Sequence, residues 1–475
     1  MDRKIVKNYL YNTVYQFLII ALPIITTPYI SRVLSVGDLG IYNYSLTIMT
    51  YFTFVASLGF HIYGQKEIAK AQNQEQRNTA FSSIFTLRLS FGIAVAGIYF
   101  LLVFFFFPHK LVYFAQGIGL LASNIDVSWY YAGKENYKVL TIRNIAIKLI
   151  SVFILFAFVR GSDALLKYTL SISLPNLIGN ISLFYRIDVK YYKLELSVKT
   201  VKKIIFSSVI LFLPTLVQQL YSVIDTTILG ALSSNEQVGY YSQTFKLINM
   251  GAALTYSIGT VLLPRIVSDY NEGRVDNVKI NMRGAVTFIL HISIPLMVGT
   301  FCIADIFVPW FYGQKYISII SLIMLASPLM IITSLSNLLG TQFLIGVNKE
   351  RRLFFIILFG SCCNILLDLM LIPRSNAIGA LIATLIAESI ILILCVVSCK
   401  SILRTNLIEK GAFKSIISAL IMGGFILVLK QLSTMPIILK TFVLVILGVV
   451  VYFVILWFFK DPFVKNIIKF VRNRQ

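Results

Sequence analysis

Long apolar stretches alternate along this chain with short clusters of charged and turn-forming residues. Cutting at those clusters leaves fourteen stretches, approximately 11–30, 43–62, 80–107, 111–132, 139–159, 164–185, 204–230, 244–264, 284–306, 317–346, 353–372, 377–399, 413–430 and 437–459. Each is near the roughly twenty residues an α-helix needs to cross about 30 Å of hydrocarbon. Barrel strands would be shorter and would alternate apolar with polar positions. The pattern predicts an all-α polytopic membrane protein with about fourteen transmembrane helices.

Composition agrees. Of 475 residues, 57% are hydrophobic and 13% charged, and the mean hydropathy is +0.82. A soluble domain carries about 45–50% apolar and about 25% charged residues. The start, MDRKIVKNYLYNTVYQFLIIALPIITTPYI, has a basic beginning like a signal peptide. Its apolar run is too long and no small-x-small cleavage site follows, so it reads as a retained first span.

The formal net charge is +22. An even number of spans puts both termini on one side. With both in the cytoplasm, roughly three quarters of the 42 Lys and Arg fall in the N-terminus, the inner loops and the tail, as the positive-inside rule requires. Arg32, Lys110, Arg160, Lys167, Lys246, Lys315, Arg374, Lys430 and Lys440 fall on the outer side, and Arg88 and Lys148 lie within spans. This bias accounts for the charge without a nucleic-acid partner. The five cysteines all sit in apolar runs, with no CxxC pair and only His61, His109 and His291 among the histidines. They read as packed small residues, not as a metal or redox site, and no cofactor is expected.

The basic connection RIDVKYYKLELSVKTVKK divides the chain. The expected organisation is a six-helix bundle over 1–185, a cytoplasmic linker over 186–203, a second six-helix bundle over 204–399, two more helices over 400–459 and a basic tail over 460–475. Linker and tail mix basic with apolar residues and are expected to lie on the anionic inner leaflet. The tail is also a candidate docking point for partner proteins. A short repeat supports the two-bundle division: LSVGDLGIYNYS at 34–45 and LSSNEQVGYYS at 232–242 both follow an apolar run and set Gly two residues before Tyr. An offset of six spans gives both copies the same orientation, which is a parallel repeat and a transporter architecture. Each Gly is expected in a tight turn and each Tyr in an interfacial belt.

The segment CNILLDLMLIPRSNAIGALIATLIAE, 363–388, resembles the signature of Wzx-type polysaccharide flippases of the multidrug/oligosaccharidyl-lipid/polysaccharide exporter superfamily. Its matching positions are Asn364, Ile372-Pro373, Gly379, Ala380, Ala383, Thr384 and Glu388. Asp225-Thr226-Thr227-Ile228-Leu229-Gly230, Phe311-Tyr312-Gly313 with Tyr316, Gly346-Val347-Asn348-Lys349, and Asp126 with Trp129 ahead of Gly133 extend the likeness over nearly the whole chain. Asp368 departs from it, because the family often has Asn there. The resemblance implies two bundles around a central cavity that opens alternately to each side. It also implies carriage of undecaprenyl-diphosphate-linked oligosaccharide from the inner to the outer leaflet of the bacterial cytoplasmic membrane. It implies no enzymatic activity, and it makes polysaccharide polymerase machinery a candidate partner besides the membrane lipids.

Such a substrate needs a wet, partly cationic path. Burying each unpaired hydroxyl costs roughly 2–7 kcal/mol and an ionised diphosphate far more. Charges inside spans are therefore the candidate site. Arg88 and Lys148 are assigned to the diphosphate, with packing pairs or snorkelling as the bland alternative. Arg143 near the inner boundary, and Arg32 and Lys246 near the outer face, are weaker phosphate candidates. Gln218, Tyr221, Ser222 and Asp225 form one polar helix face, suited to a cavity wall or to an interhelical seam. Asp126, Trp129 and Tyr130 suit sugar stacking or an interfacial belt. Glu388 and Asp225 are candidate ion-coupling acids for H⁺ or Na⁺, and His291 reads as a proton carrier or a packed histidine. Pro23, Pro28, Pro175, Pro214, Pro295 and Pro328 interrupt spans and predict bends. No GxxxxGK[ST] loop is present, so an ion gradient is the expected energy source. The competing readings are a small-molecule exporter of the same superfamily, a membrane polysaccharide polymerase or acyltransferase, and a scaffold.

Overall fold

The computed structural model describes residues 18–19, 21–187, 197–405, 407, 410–432 and 435–464. The start of the first apolar stretch, residues 188–196 of the linker and residues 465–475 of the tail lie outside them, so the inner-leaflet reading of linker and tail does too. Among the described residues the regular structure is entirely helical. The helices are α1 (21–33), α2 (Val36–Ser57), α3 (Phe60–Lys70), α4 (Gln74–Phe106), α5 (Lys110–Asn124), α6 (Ser128–Gly133), α7 (Tyr137–Phe158) and α8 (Ala164–Ser182). They continue as α9 (Val198–Leu232), α10 (Asn235–Asn271), α11 (Val275–Phe311), α12 (Ile319–Ala326), α13 (Leu329–Ser336), α14 (Glu350–Leu403), α15 (Lys410–Leu432) and α16 (Ile437–Phe458).

Seven of these helical runs are long and apolar enough to cross a membrane, and nine if each of two bent pairs is one span. The fourteen hydropathy stretches do not map one to one onto helices. Stretch 111–132 is two helices, α5 and α6, separated by a non-helical turn. Stretches 353–372 and 377–399 form one 54-residue element, α14, broken at Asn376 by φ 49° and ψ −128°. The bends fall at expected prolines: Val198–Leu213 meets Thr215–Leu232 at 57° with Pro214 between them, and α12 meets the helix beginning at Leu329 at 43° after Pro328. Asn337–Leu344 continues α13 in wide π turns.

The chain forms two compact units, Met1–Thr227 and Ile228–Gln475. The repeated motif opens an equivalent helix in each. Ser35 caps α2, its hydroxyl accepting from Asp38 N, while Ser35 N donates to Asp38 Oδ2 at 3.0 Å. Ser234 caps α10 by accepting from Gln237 N. Both satisfy orphan N–H groups at a helix start. The tyrosines are not an interfacial belt. Tyr42 and Tyr241 are buried, 8% and 4% exposed, because the helix turns each one inward. Tyr42 packs on Tyr168 of α8, ring centroids 4.6 Å apart. Tyr241 hydroxyl lies 3.3 Å from Thr384 Oγ1 of α14. Each tyrosine therefore ties its unit's repeated helix to another helix of the same unit.

Within the first unit α5 is the hub, packed on α8, α2 and α4. Within the second, α11 carries α15 and α16. There Lys430 bridges Asp305 at 3.0 Å and Trp310 Nε1 donates to Thr441 Oγ1 at 3.0 Å. The break in α14 is held locally as well. Ser233 Oγ donates to Asn376 Oδ1 at 2.7 Å, and Ala377 N donates to Gln237 Oε1 at 3.3 Å. A Cβ at Gly379 would lie 2.4 Å from Leu371 O, so only glycine lets the two arms of α14 close this tightly.

Candidate functional site

Arg88 is 3% exposed and spent on backbone. Its Nη1 donates to Asp126 O at 2.7 Å and its Nη2 to Ser123 O at 2.6 Å. These are carbonyls at the C-terminal end of α5, where helix geometry leaves acceptors without partners and negative partial charge accumulates. This geometry is that of the packing alternative for Arg88: the guanidinium caps the end of α5. Asp126 opens α6 instead of facing a sugar. Its Oδ1 accepts from Ser128 N at 2.9 Å and its Oδ2 from Ser128 Oγ at 2.8 Å.

Trp129 is fully enclosed, 0% exposed. Its ring stacks on Phe81 at 5.4 Å, and a Cβ at Gly64 would lie 2.5 Å from it. Neither face is open to a sugar, so Trp129 and its neighbour Tyr130 are core residues of the first unit. Arg143 Nη1 donates to Asn180 Oδ1, and Asn180 Nδ2 passes the link to Ala122 O at 2.7 Å. Asn124 Nδ2 donates to Gly92 O at 2.9 Å. Arg88, Arg143, Asn124 and Asn180 thus knit α4, α5, α7 and α8 around the end of α5. Interhelical hydrogen bonds in membranes average about 0.6 kcal/mol each, and two carbonyls shared by one buried guanidinium are worth more.

Lys148 is different. It is exposed on α7 and makes no hydrogen bond or ion pair among the described residues. At 100° per residue α7 shows three faces. Arg143 and Ile147 face α8, meeting Asn180 and Gly179. Ile142, Leu149 and Phe153 are 50%, 52% and 69% exposed, an apolar outer face. Thr141, Asn144, Lys148 and Ser151 fall together on the third, which is polar along eleven residues of an otherwise apolar helix. Lys246 of α10 is half-buried, shares a face with Ser242 and Asn249, and likewise makes no hydrogen bond or ion pair among the described residues. Arg32 is exposed and folds back onto Pro28 O of its own helix at 2.6 Å.

The polar face of α9 is graded. Gln218 and Ser222 are exposed, Tyr221 is half-buried and Asp225 is buried. Two residues on and on the other side of α9, Thr227 Oγ1 meets Tyr51 OH of α2 at 2.7 Å. Glu388 is half-buried in the second unit, within electrostatic reach of Tyr256, which hydrogen-bonds Thr333. Beside that pair, Thr255 Oγ1 and Ser334 Oγ lie 2.5 Å apart.

Two polar residues received no site role from the sequence. Asn364 and Asp368 stand one turn apart in α14 and are both 0% exposed. The amide of Asn364 has no hydrogen-bond partner among the described residues. An enclosed carboxylate beside an unused amide oxygen suits a proton or a small hard cation. The available signal was their i, i+4 spacing within an apolar run. His291 is a core residue: Nδ1 lies 2.7 Å from Thr287 O, Phe463 stacks on the ring at 4.6 Å, and Nε2 lies 3.3 Å from Asp461 Oδ1. The cysteines are free, and no group of three or more His, Cys, Asp or Glu among the described residues is placed to hold a metal.

Two compact helical units, seven or more apolar spans and polar faces at span depth define a polytopic α-helical membrane protein. Solved structures share this fold. A structure described as lipid II flippase MurJ in an inward closed conformation superposes with TM-score 0.76 at 16% identity, over 96% of this chain and 99% of that one. An inward-facing multidrug resistance MATE family transporter of the MOP superfamily superposes with TM-score 0.61 at 9% identity, over 82% and 98%. By sequence, the polysaccharide biosynthesis protein family matches residues 5–268, more than half of the chain, and the MatE family matches 211–370. This chain belongs to the polysaccharide biosynthesis protein family. A relative from Escherichia coli (strain K12), described as "Putative O-antigen transporter", is 27% identical over 397 residues, covering 81% of this chain and 94% of the relative.

Proposed function

We propose that this protein is a flippase for undecaprenyl-diphosphate-linked oligosaccharide, moving repeat units from the inner to the outer leaflet of the bacterial cytoplasmic membrane for surface polysaccharide synthesis. It is a carrier, not an enzyme. Family membership, the O-antigen transporter relative and the flippase fold support the reading. The observation that carries it is Lys148, an exposed cation without a partner among the described residues, on the polar face of a membrane helix. An unpaired charge at that depth is expensive unless an anion or water meets it, and a diphosphate supplies the anion. Lys246 gives the second unit a similar cation. The polar positions of α7, α9 and α10 offer hydroxyl and amide partners to a glycan while the lipid tail stays in the bilayer. Alternating access and both termini in the cytoplasm complete the reading.

Net export is driven by H⁺ or Na⁺, with Asp368 and Asn364 as the coupling position and Glu388 and Asp225 as further acids. Each charge moved across 100 mV is worth about 2.3 kcal/mol. Transport by Asp368→Asn in proteoliposomes is expected to lose its response to an imposed ion gradient, and an unchanged response removes this role. The decisive experiment deletes the protein and asks on which leaflet labelled lipid-linked oligosaccharide collects. Accumulation on the inner leaflet, restored by wild type and not by Lys148→Gln, is expected. Undiminished outer-leaflet delivery sinks the proposal. The MatE match over 211–370 favours one second reading, a small-molecule exporter. A drug-resistance phenotype without oligosaccharide accumulation would select it.

A further inference from the structure

The first unit holds a polar recess that the transport reading does not use. Where α3 ends and α4 begins, beside the junction of α6 with α7, a cavity of about 340 Å³ is lined by Gln65, Arg77, Lys134, Glu135 and Tyr137. Its walls are pressed close: a Cβ at Gly133 would lie 2.8 Å from both Gln65 O and Ile68 Cβ.

Arg77 is the spare capacity. A guanidinium has five N–H donors. Among the described residues this one makes a single long bond, Nη2 to Ala71 O at 3.5 Å, and its Nε is enclosed without an acceptor. Lys134 stands over the Tyr130 ring at 5.3 Å, which fixes a second cation at the rim. One acid, Glu135, offsets the two, leaving the recess net positive.

Depth tells which anion is at hand. Arg77 stands in the first turn of α4 and Tyr137 opens α7. Both helices run directly from here into apolar spans whose Ile93, Ile98, Ile142 and Leu149 are exposed. The recess therefore lies at headgroup level, where lipid phosphodiesters are the most concentrated anions. Its volume is at the small end of ligand pockets, about 300–1,000 Å³, so it takes one headgroup and not a glycan chain. The geometry points to a binding site for the phosphodiester headgroup of an anionic phospholipid, with Arg77 as the fork on the phosphate, Lys134 as the second charge, and Gln65 and Tyr137 as polar partners for the headgroup hydroxyls. Occupancy braces the α3–α4 and α6–α7 junctions together. The site does not depend on what the protein carries.

The test uses the purified full-length protein in detergent and three probes: short-chain phosphatidylglycerol, short-chain phosphatidylcholine and inorganic phosphate. Thermal shift and native mass spectrometry read binding. Phosphatidylglycerol is expected to bind at least about tenfold more tightly than phosphatidylcholine, and Arg77→Gln to weaken it by about tenfold, the value of one charge-assisted hydrogen bond. Glu135→Gln removes the opposing charge and is expected to tighten phosphatidylglycerol. This opposite sign keeps the test decisive if Arg77→Gln folds poorly. Equal affinity for the two lipids, or affinity untouched by both substitutions, overturns the site. Full competition by millimolar inorganic phosphate assigns the recess to free phosphate and overturns its assignment to a lipid.

Discussion

Arg88 and Lys148 are both basic residues deep in apolar helices of one unit, and the structure gives them opposite fates. The guanidinium of Arg88 is enclosed and divided between two carbonyls at the end of α5. The ammonium of Lys148 is exposed on a polar helix face with no partner among the described residues. An intramembrane charge is thus no sign of function by itself. What separates the two is whether the protein supplies the counter-dipole: where it does, the charge is part of the fold, and where it does not, something else must meet it.

The strongest way to break this contrast is Arg88→Leu. It strands two buried carbonyls and removes the link between α4 and α5. A loss of about 3–5 kcal/mol is expected, read as a large fall in Tm or failure to accumulate in the membrane, with Arg88→Lys recovering only part. An unchanged Tm would mean that Arg88 is not a structural cap. Lys148→Gln is expected to do the converse. Transport falls about ten- to a hundredfold, the worth of charge-assisted bonds to an anion, while Tm stays near wild type. Full transport by that variant would remove Lys148 from the site.

Smaller changes sharpen the structural side. Gly64→Ala drives a methyl group into the Trp129 ring. It is expected to cost about 1–3 kcal/mol and to leave transport per folded molecule unaltered. An altered substrate preference instead would return Trp129 to the sugar site. Ser35→Ala removes the cap of α2 and is expected to cost about 1 kcal/mol, with Ser234→Ala giving a similar loss in α10. A marked difference between the two would show that the repeat is equivalent in sequence but not in energetics.

The repeat shows how far the sequence could be read. Its spacing located two equivalent places in the chain but not their conformation: the glycines were expected in tight turns, and Gly40 and Gly239 instead stand in the second turn of helices capped by Ser35 and Ser234. The burial of Tyr42 and Tyr241 was not local. Both stand near a span end, where tyrosine commonly sits at the interface, and only the packing of Tyr168 and Thr384 places them inside. The enclosure of Trp129 and the turn that Asp126 makes with Ser128 were hidden for the same reason. An acid two residues before a serine looks the same whether it caps a turn or faces a ligand. Asn364 and Asp368 were visible as a polar pair in an apolar run, but their complete enclosure is a matter of packing and not of spacing.

The sequence by itself determined the solvent and the helical class, though not where each helix begins and ends. Runs of apolar residues near span length leave the backbone no option in lipid but to bond within its own helix. Only the tertiary structure decided which polar groups are spent and which remain available. That outcome depends on where a neighbouring helix happens to end its carbonyls, and chain spacing does not encode the position of another helix. Arg88 meets the end of α5 and is neutralised by it. Lys148, sixty residues further on, turns to a face where no such end stands.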